Sequence, residues 1–487
     1  MQIAAIKNGN LFAENIIMRA GVFMEQQVLQ LKEMVQDKKV AFIGAGVSHK
    51  ALIELFCQLG AIVTLCDKKK SIEEFGDYAA VLKKYGVQLS LGEEYMQGFA
   101  GQDMILRTPG FEYFTPQLQQ AKQNGVKVTS EMELFFELCP CPKIAVTGSD
   151  GKTTTTSLIA AMLTQQGKTV HLGGNIGRAL LPIVGEIQPQ DVAVVELSSF
   201  QLISMAQSPE IAVVTNVTPN HLDHHKDMQE YIDAKRNILL HQSKTGKAVL
   251  GYENEISNGM KQDVQGEFCW FTRLSKIENG AFLREDGMLC MAKDGEVIPV
   301  LHKDEVRLRG LHNIENLLAA TAAVWGLVSV ENIAEVGRTF AGVEHRIEPV
   351  RLLNGVQWYN DSIASSPTRT IAGLKSFEQK IIIIAGGYDK HIPYEPLAPE
   401  ILEHVKVLIL MGDTGPIIEK AVRNCEGFEQ SGLVIEHAED MQQAVEIAYK
   451  IAKSGDIVSL SPASASFDKY PNFEVRGRHF KEIVNSL

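Results

Sequence analysis

Apolar positions in this chain gather into short continuous runs separated by longer amphipathic stretches. That layout is expected of strands buried on both faces with helices packed over them. Early in the chain, 26–35 reads as a helix and 39–43 as a buried strand. A helix running to Leu59 and a strand at 62–66, closed by Asp67, complete a βαβ unit. Further strands read at 103–106 and 126–129, with the turn Thr108-Pro109-Gly110 between them. The alternation continues through strands at 144–146, 191–196 and 211–217, with a helical pattern at 157–163. From about 249 to 306 the segments become short, charged and turn-rich, as in Arg284-Glu285-Asp286-Gly287, which predicts hairpins on a sheet edge. An apolar helix at 314–327 follows, and the pattern resets at 342–346. Strands then read at 350–353, 381–385, 407–411 and 457–460, with a helix at 441–452.

The expected fold class is therefore α/β in three domains. Residues 1–130 form a Rossmann-like domain with 1–37 as an extension, and residues 1–23 read as an appended arm or the product of an upstream start. Residues 131–343 form a P-loop ATPase-like domain with a parallel sheet plus a small inserted β-sheet, and 344–487 a second Rossmann-like α/β domain. The length of 487 residues agrees with three domains of about 100–200 residues each. No apolar run approaches the roughly 18 residues that span a membrane, and the N-terminus lacks a signal-peptide layout, so a cytoplasmic protein is expected. A net charge of −12 argues against nucleic acid as a partner but leaves anionic small molecules open, because a local cradle can oppose the global sign. The seven cysteines are an odd number, and Cys139-Pro-Cys141 has the spacing of neither a zinc pair nor a redox pair, so reduced thiols are expected.

The densest chemistry lies in Thr147-Gly148-Ser149-Asp150-Gly151-Lys152-Thr153-Thr154. A strand, a glycine loop, a lysine, a hydroxyl and a helix in that order make a phosphate cradle. Lys152 is placed to reach a terminal phosphate and Thr153 to ligate magnesium. The general P-loop has a glycine where this chain has Val146, so the loop is not the common GTPase version. Glu196, at the end of a hydrophobic strand, offers a hard oxygen ligand for a nucleotide-bound cation. Gly44-Ala45-Gly46-Val47-Ser48-His49 is a dinucleotide-like fingerprint with His49 at the third glycine, which leaves NAD and another nucleotide as alternatives. His221, His224 and His225 invite a zinc reading, but no further ligand motif completes a tetrahedral set.

The Thr-Gly-x-x-Gly-Lys-Thr-Thr loop resembles the ATP loop of the Mur ligases and the folylpolyglutamate synthetases, which join an acid to an amino acid. Glu196-Leu197-Ser198-Ser199-Phe200-Gln201-Leu202 resembles the D-glutamate-adding branch of the Mur ligases. The resemblance runs from about Lys38 onward and implies a role for each motif in turn. Gly148, Ser149, Asp150, Gly151, Lys152, Thr153 and Thr154 would bind ATP, with Asn313 and Asn316 near the adenine, and Arg346 and Asp361 on the ribose and phosphates. Gly46, Val47, Ser48, Asp67 and Lys68 align with a uridine-diphosphate site, and Asn175, Ser198 and Gln201 with the rest of the acid substrate. Ser365, Lys390, Ser466, Phe467 and Phe473 would line the D-glutamate pocket. Thr153 and Glu196 would hold one magnesium ion, and His221 with a carbamylated Lys235 a second. Many members carry a lysine where this chain has Ile363.

What the resemblance implies is an ATP-dependent ligase that adds D-glutamate to UDP-N-acetylmuramoyl-L-alanine through an acyl phosphate, in peptidoglycan precursor synthesis. Lys152, Glu196, His221 and Lys235 would be its catalytic residues. ATP and two magnesium ions are the expected cofactors, small molecules the partners, and a monomer the expected state. The alternative within the family is another Mur ligase or a folylpolyglutamate synthetase with a different acceptor.

Overall fold

The computed structural model describes residues 26–219, 224–308, 310–390 and 392–487. The reading of residues 1–23 lies outside them. The chain divides into two compact units, Met1–Thr339 and Phe340–Leu487. Among the described residues no helix is long and apolar enough to cross a membrane.

Among its described residues the first unit contains two sheets. One has five parallel strands in the order Gln88–Leu91, Ile62–Asp67, Lys39–Ile43, Met104–Leu106, Lys127–Thr129. Chain direction across the sheet reverses beside Lys39–Ile43, so the loop after Ile43 opens at a topological switch point, where such sheets place ligands. The other sheet has nine strands. Its phosphate-loop strand Lys143–Thr147 lies between Val192–Glu196 and Ile211–Val214, again at a reversal of strand order. Lys143–Thr147 and Val192–Glu196 are buried along their whole length, which is why they read as continuous apolar runs. The helices Lys152–Gln165 and Leu311–Val324 pack against one another beside this sheet.

The expected hairpins are present at the edge of that sheet. Gly280–Leu283, Met288–Lys293 and Glu296–His302 run antiparallel in sequence. Asp294 and Gly295 both have positive φ (54° and 82°), the backbone that a two-residue turn matched to strand twist requires. The strand expected at 211–217 stops at Val214 because the next residues serve the phosphate loop instead. Gln88–Leu91, Val170–Gly174, Val356–Asn360 and Val434–His437 are strands the hydrophobic pattern did not signal.

Arg107 ties the two sheets of the first unit together. Its buried guanidinium donates to the carbonyl of Phe111 at 3.1 Å, the carbonyl of Phe200 at 2.8 Å and Ser204 Oγ at 3.0 Å. Such charge-assisted bonds contribute about 1.5–3 kcal/mol each. They anchor the turn after Met104–Leu106 to the short helix Ser199–Leu202 and the residues just beyond it.

The second unit is a six-stranded sheet in the order Glu348–Leu353, Val356–Asn360, Ile457–Leu460, Ile381–Ala385, Val405–Leu410, Val434–His437, parallel except for its first pair. Successive residues of Ile381–Ala385 point to opposite faces. Ile382 and Ile384 pack with Met441, Val445 and Phe480, while Ile381 and Ile383 pack with Ile401 and Ile418. Helices therefore cover both faces, and truncating one of these isoleucines to alanine costs about 2–5 kcal/mol.

Candidate active site

The phosphate loop leaves Thr147 through Gly148 (φ 148°) and enters the helix Lys152–Gln165 through Gly151 (φ 79°). A Cβ on Gly148 would run into Thr215 Oγ1 and one on Gly151 into Asn316 Oδ1, so both positions require glycine. No side chain caps this helix, the arrangement that keeps N-terminal amides for an anion. The rest of the loop is braced from behind. Ser149 N donates to the Asn216 carbonyl at 2.8 Å, and Ser149 Oγ lies 2.9 Å from the Tyr231 hydroxyl. Asp150 N donates to Asn216 Oδ1 at 3.0 Å, and Thr215 Oγ1 donates to the Asp150 carbonyl at 2.6 Å. Asn316 accepts from Thr155 Oγ1 at 3.3 Å and donates to Asn313 Oδ1 at 3.1 Å, joining the asparagine pair to the phosphate helix.

Two lysines converge on this loop. Lys152 Nζ donates to the carbonyls of Gly148 (3.0 Å) and Ser149 (2.8 Å). Lys235, from the helix Met228–Leu240, donates to the same Gly148 carbonyl at 2.8 Å and lies over the Tyr231 ring. Lys235 is almost wholly buried, and burial, followed by the nearby Lys152 charge, pushes its ammonium pKa well down. Glu196, at the end of the neighbouring strand, accepts from Asn175 Nδ2 at 2.7 Å through Oε1. Its Oε2 is buried and has no hydrogen-bond partner among the described residues. An unpartnered buried carboxylate oxygen beside a phosphate cradle fits a magnesium ion, a hard cation that takes oxygen ligands. His225 has both ring nitrogens engaged, Nε2 with Ser199 Oγ at 2.9 Å and Nδ1 with Glu230 at 3.0 Å. It is thereby removed from any metal set.

At the switch point of the five-stranded sheet, Gly44 (φ 76°) turns the chain and Asp67 Oδ2 accepts from Ala45 N at 3.2 Å. His49 is a buried imidazole bonded to the Gly44 carbonyl at 2.9 Å and set edge-on to Phe42. Burial lowers its pKa to about 4, so it packs as a neutral ring. That ring stands where a dinucleotide fingerprint needs a glycine for close helix–strand packing.

In the second unit a buried arginine organises the loop after Leu460. Arg476 donates to Ser362 Oγ (3.0 Å), the Ser362 carbonyl (2.9 Å) and the carbonyls of Ser464 and Ala465 (both 3.0 Å). Ser464 Oγ in turn bonds Tyr394 (2.8 Å) and Thr414 (2.7 Å), and Thr414 Oγ1 receives the Gly387 amide at 3.0 Å. Exposed Lys390 lies 5.9 Å from the centre of the exposed Phe467 ring. Asp361 is buried, accepts from Ile347 N at 3.1 Å, and has its pKa raised to about 7 by burial, opposed by the charges of Arg346 and Arg369.

Family models match almost the whole described chain. A Mur ligase MurD-like N-terminal domain covers residues 38–130, a Mur ligase middle domain 146–324, and a Mur ligase glutamate ligase domain 345–464. A UDP-N-acetylmuramoylalanine--D-glutamate ligase of Acetivibrio thermocellus is 50% identical, over 95% of this chain and 100% of its own. The protein of that name from Clostridium kluyveri is 47% identical, with the same shares covered. The chain belongs to the Mur ligase family, in its D-glutamate ligase branch. The fold is also that of a solved MurF from Acinetobacter baumannii, with a TM-score of 0.57 at 14% identity over 94% of this chain and 99% of that one.

Of the residues the Mur ligase resemblance singles out, Gly148 to Thr154, Asn175, Glu196, Lys235 and Asn316 surround the phosphate loop. Asn313 adjoins it through Asn316. His221 lies outside the described residues. Ser198 and Gln201 form a capping box that opens the helix Ser199–Leu202, with Gln201 Oε1 accepting from Ser198 N at 2.9 Å. Gly46, Val47, Ser48, Asp67 and Lys68 lie at the C-terminal end of the five-stranded sheet. Arg346, Asp361, Ser365, Lys390, Ser466, Phe467 and Phe473 belong to the second unit. There the Phe473 carbonyl accepts from Ser362 Oγ at 2.8 Å, and Ser466 is buried.

Sequence reasoning missed Tyr231, Arg369 and Arg476. Arg369 places a cation at the Ile363 carbonyl (3.3 Å), next to the position where many Mur ligases carry a lysine. Its separation of six residues gives no motif. Arg476 reads as an ordinary helix arginine until the fold buries it.

Burial raises the Asp361 carboxyl pKa to about 7, against an ordinary value of 3.8. Its contribution to stability is full below pH 3.8 and is lost as pH rises through about 7. Asp361→Asn should remove that decline, measured as chemical denaturation of wild type and variant from pH 4 to pH 8. Parallel curves would contradict the buried, proton-retaining carboxyl.

Proposed function

We propose that this chain joins D-glutamate to the carboxylate of UDP-N-acetylmuramoyl-L-alanine at the expense of ATP, in the cytoplasm and as a monomer. The observation that carries the chemistry is the glycine loop with two lysines on one carbonyl and an unpartnered carboxylate oxygen beside it. The substrates follow from the relatives, whose names state D-glutamate addition. In this reading residues 1–130 take the UDP precursor, 131–343 take ATP, and 344–487 take D-glutamate.

A carboxylate resists amine attack because oxide is a poor leaving group. Transfer of the γ-phosphoryl group to a carboxylate oxygen breaks the bond to ADP and makes an acyl phosphate. The D-glutamate amine then attacks the acyl carbon, and phosphate leaves as the amide forms. Phosphoryl transfer asks for in-line positioning and charge neutralisation rather than covalent help. Lys152 and the uncapped amides that open the helix Lys152–Gln165 supply both at the γ-phosphoryl oxygens. Thr153 and Glu196 would hold one magnesium ion, and His221 and Lys235 the other. When bound, such ions would supply charge neutralisation to the transferring phosphoryl group. Lys390, with the donors around Ser466, orients the incoming amino acid, and Arg369 replaces the cation absent at Ile363.

Lys235 is suited to carbamylation. Burial, followed by the Lys152 charge, shifts Lys235 toward its neutral amine, the form that adds carbon dioxide. The product is an anion with oxygen ligands, which a cation prefers to an ammonium.

A phosphate-release assay over a panel of UDP-muramoyl precursors and amino acids tests the reaction. Release should require UDP-N-acetylmuramoyl-L-alanine and D-glutamate together, and strong turnover with L-lysine, diaminopimelate or a folate instead would overturn the assignment. Lys235→Ala should lose most activity, and added acetate should restore part of it. Normal turnover of that variant in carbonate-free buffer would reduce Lys235 to a packing residue.

A further inference from the structure

Cys139 and Cys141 flank Pro140 in the joint between the helix Glu131–Leu138 and the strand Lys143–Thr147 that runs into the phosphate loop. The Cys139 amide closes the helix by donating to the Phe135 carbonyl at 2.8 Å. Although one residue separates them, the two Sγ atoms lie only 3.5 Å apart. Cys139 is half-buried and Cys141 is buried beneath it. Lys143 Nζ lies 3.4 Å from the Cys141 carbonyl and pairs with Glu210 at 3.2 Å, so a cation stands beside the two sulfurs. The hydrogen bond from Cys141 is the main cause that holds the Cys139 thiol below its ordinary range, and the Lys143 charge adds to it. The same bond and burial push Cys141 up.

We propose that Cys139 and Cys141 form a redox site, in which Cys139 meets hydrogen peroxide and Cys141 resolves the product into a disulfide just ahead of the strand that runs into the phosphate loop. The Cys139 thiolate attacks one peroxide oxygen, the O–O bond breaks, and the departing hydroxide takes up a proton to leave as water. Cys139 is then a sulfenic acid. The Cys141 sulfur attacks the Cys139 sulfur, the S–O bond breaks, and the leaving hydroxide departs as water with the Cys141 proton. The two thiols have given two electrons to one peroxide, and a dithiol reductant reverses the change by exchange. Closure needs the sulfurs to approach from 3.5 Å to about 2 Å. That movement lies within the joint itself. Sequence reading set the pair aside as reduced thiols on its one-residue spacing, because the usual motif places two residues between the thiols.

The test treats the full-length protein with hydrogen peroxide, alkylates the free thiols, and maps the digest by mass. The peptide carrying both cysteines should be about 2 Da lighter than its dithiol form and resist alkylation until dithiothreitol is added. Cys57, also half-buried but with its thiol pushed up to about 11 by burial, should stay alkylatable. In Cys141→Ser, Cys139 should instead be trapped as a dimedone adduct, while phosphate release without peroxide stays at the wild-type rate. Equal alkylation of Cys139 and Cys141 with and without peroxide would overturn the proposal. So would a wild-type Cys139 that proceeds to sulfinic acid while Cys141 remains free to alkylate.

Discussion

Lys152 and Lys235 both donate to the carbonyl oxygen of Gly148, and much of the first unit is arranged around that crowding. Both bonds are short, so the two nitrogens stand no more than about 6 Å apart. If both were charged, the repulsion would be on the order of 3 kcal/mol at an effective dielectric of about 20. Burial adds to the penalty on Lys235, which cannot hydrate its charge. Two changes relieve it: an anion in the cradle, or loss of the ammonium at Lys235. In the proposed reaction phosphate would supply the first and carbamylation the second, so that the substrate completes the electrostatics of the loop.

That arrangement demands that the loop hold its shape without spending the groups it presents. Thr215 and Asn216 satisfy the backbone of Ser149 and Asp150 from behind, and the Tyr231 hydroxyl bonds Ser149 Oγ. This is also why the strand Ile211–Val214 is shorter than its apolar run. Residues that would have continued the ladder bind the loop instead. In the second unit Arg476 does the corresponding work, drawing the carbonyls of Ser464 and Ala465 inward.

Strands such as Lys39–Ile43, Ile381–Ala385 and Ile457–Leu460 were legible because both of their faces are buried and their ends are marked by glycine or proline. Val170–Gly174 was not, since its two glycines suppress the apolar signal. A Cβ at Gly173 would meet the Arg178 carbonyl and one at Gly174 the Glu196 carbonyl, so close backbone approach rather than propensity selects them. Val434–His437 is a charged edge strand that only its neighbour makes regular. In the site, the phosphate loop announced itself because its chemistry depends on local spacing. The burial of Lys235, the orphaned oxygen of Glu196, and the reach of Arg369 and Arg476 depend on tertiary packing, which no local pattern encodes. The family resemblance pointed to Lys235 and Glu196, whereas Arg369 and Arg476 became visible only in the fold.

In the proposed reaction this loop delivers a phosphoryl group to a carboxylate rather than to water, and isotope transfer tells the two apart. UDP-N-acetylmuramoyl-L-alanine labelled with oxygen-18 in its alanyl carboxylate is turned over with ATP and D-glutamate, and the released phosphate is examined by mass. An acyl-phosphate route requires one labelled oxygen to pass from the carboxylate into each phosphate formed. Phosphate carrying no label, with amide product still accumulating, would contradict the account.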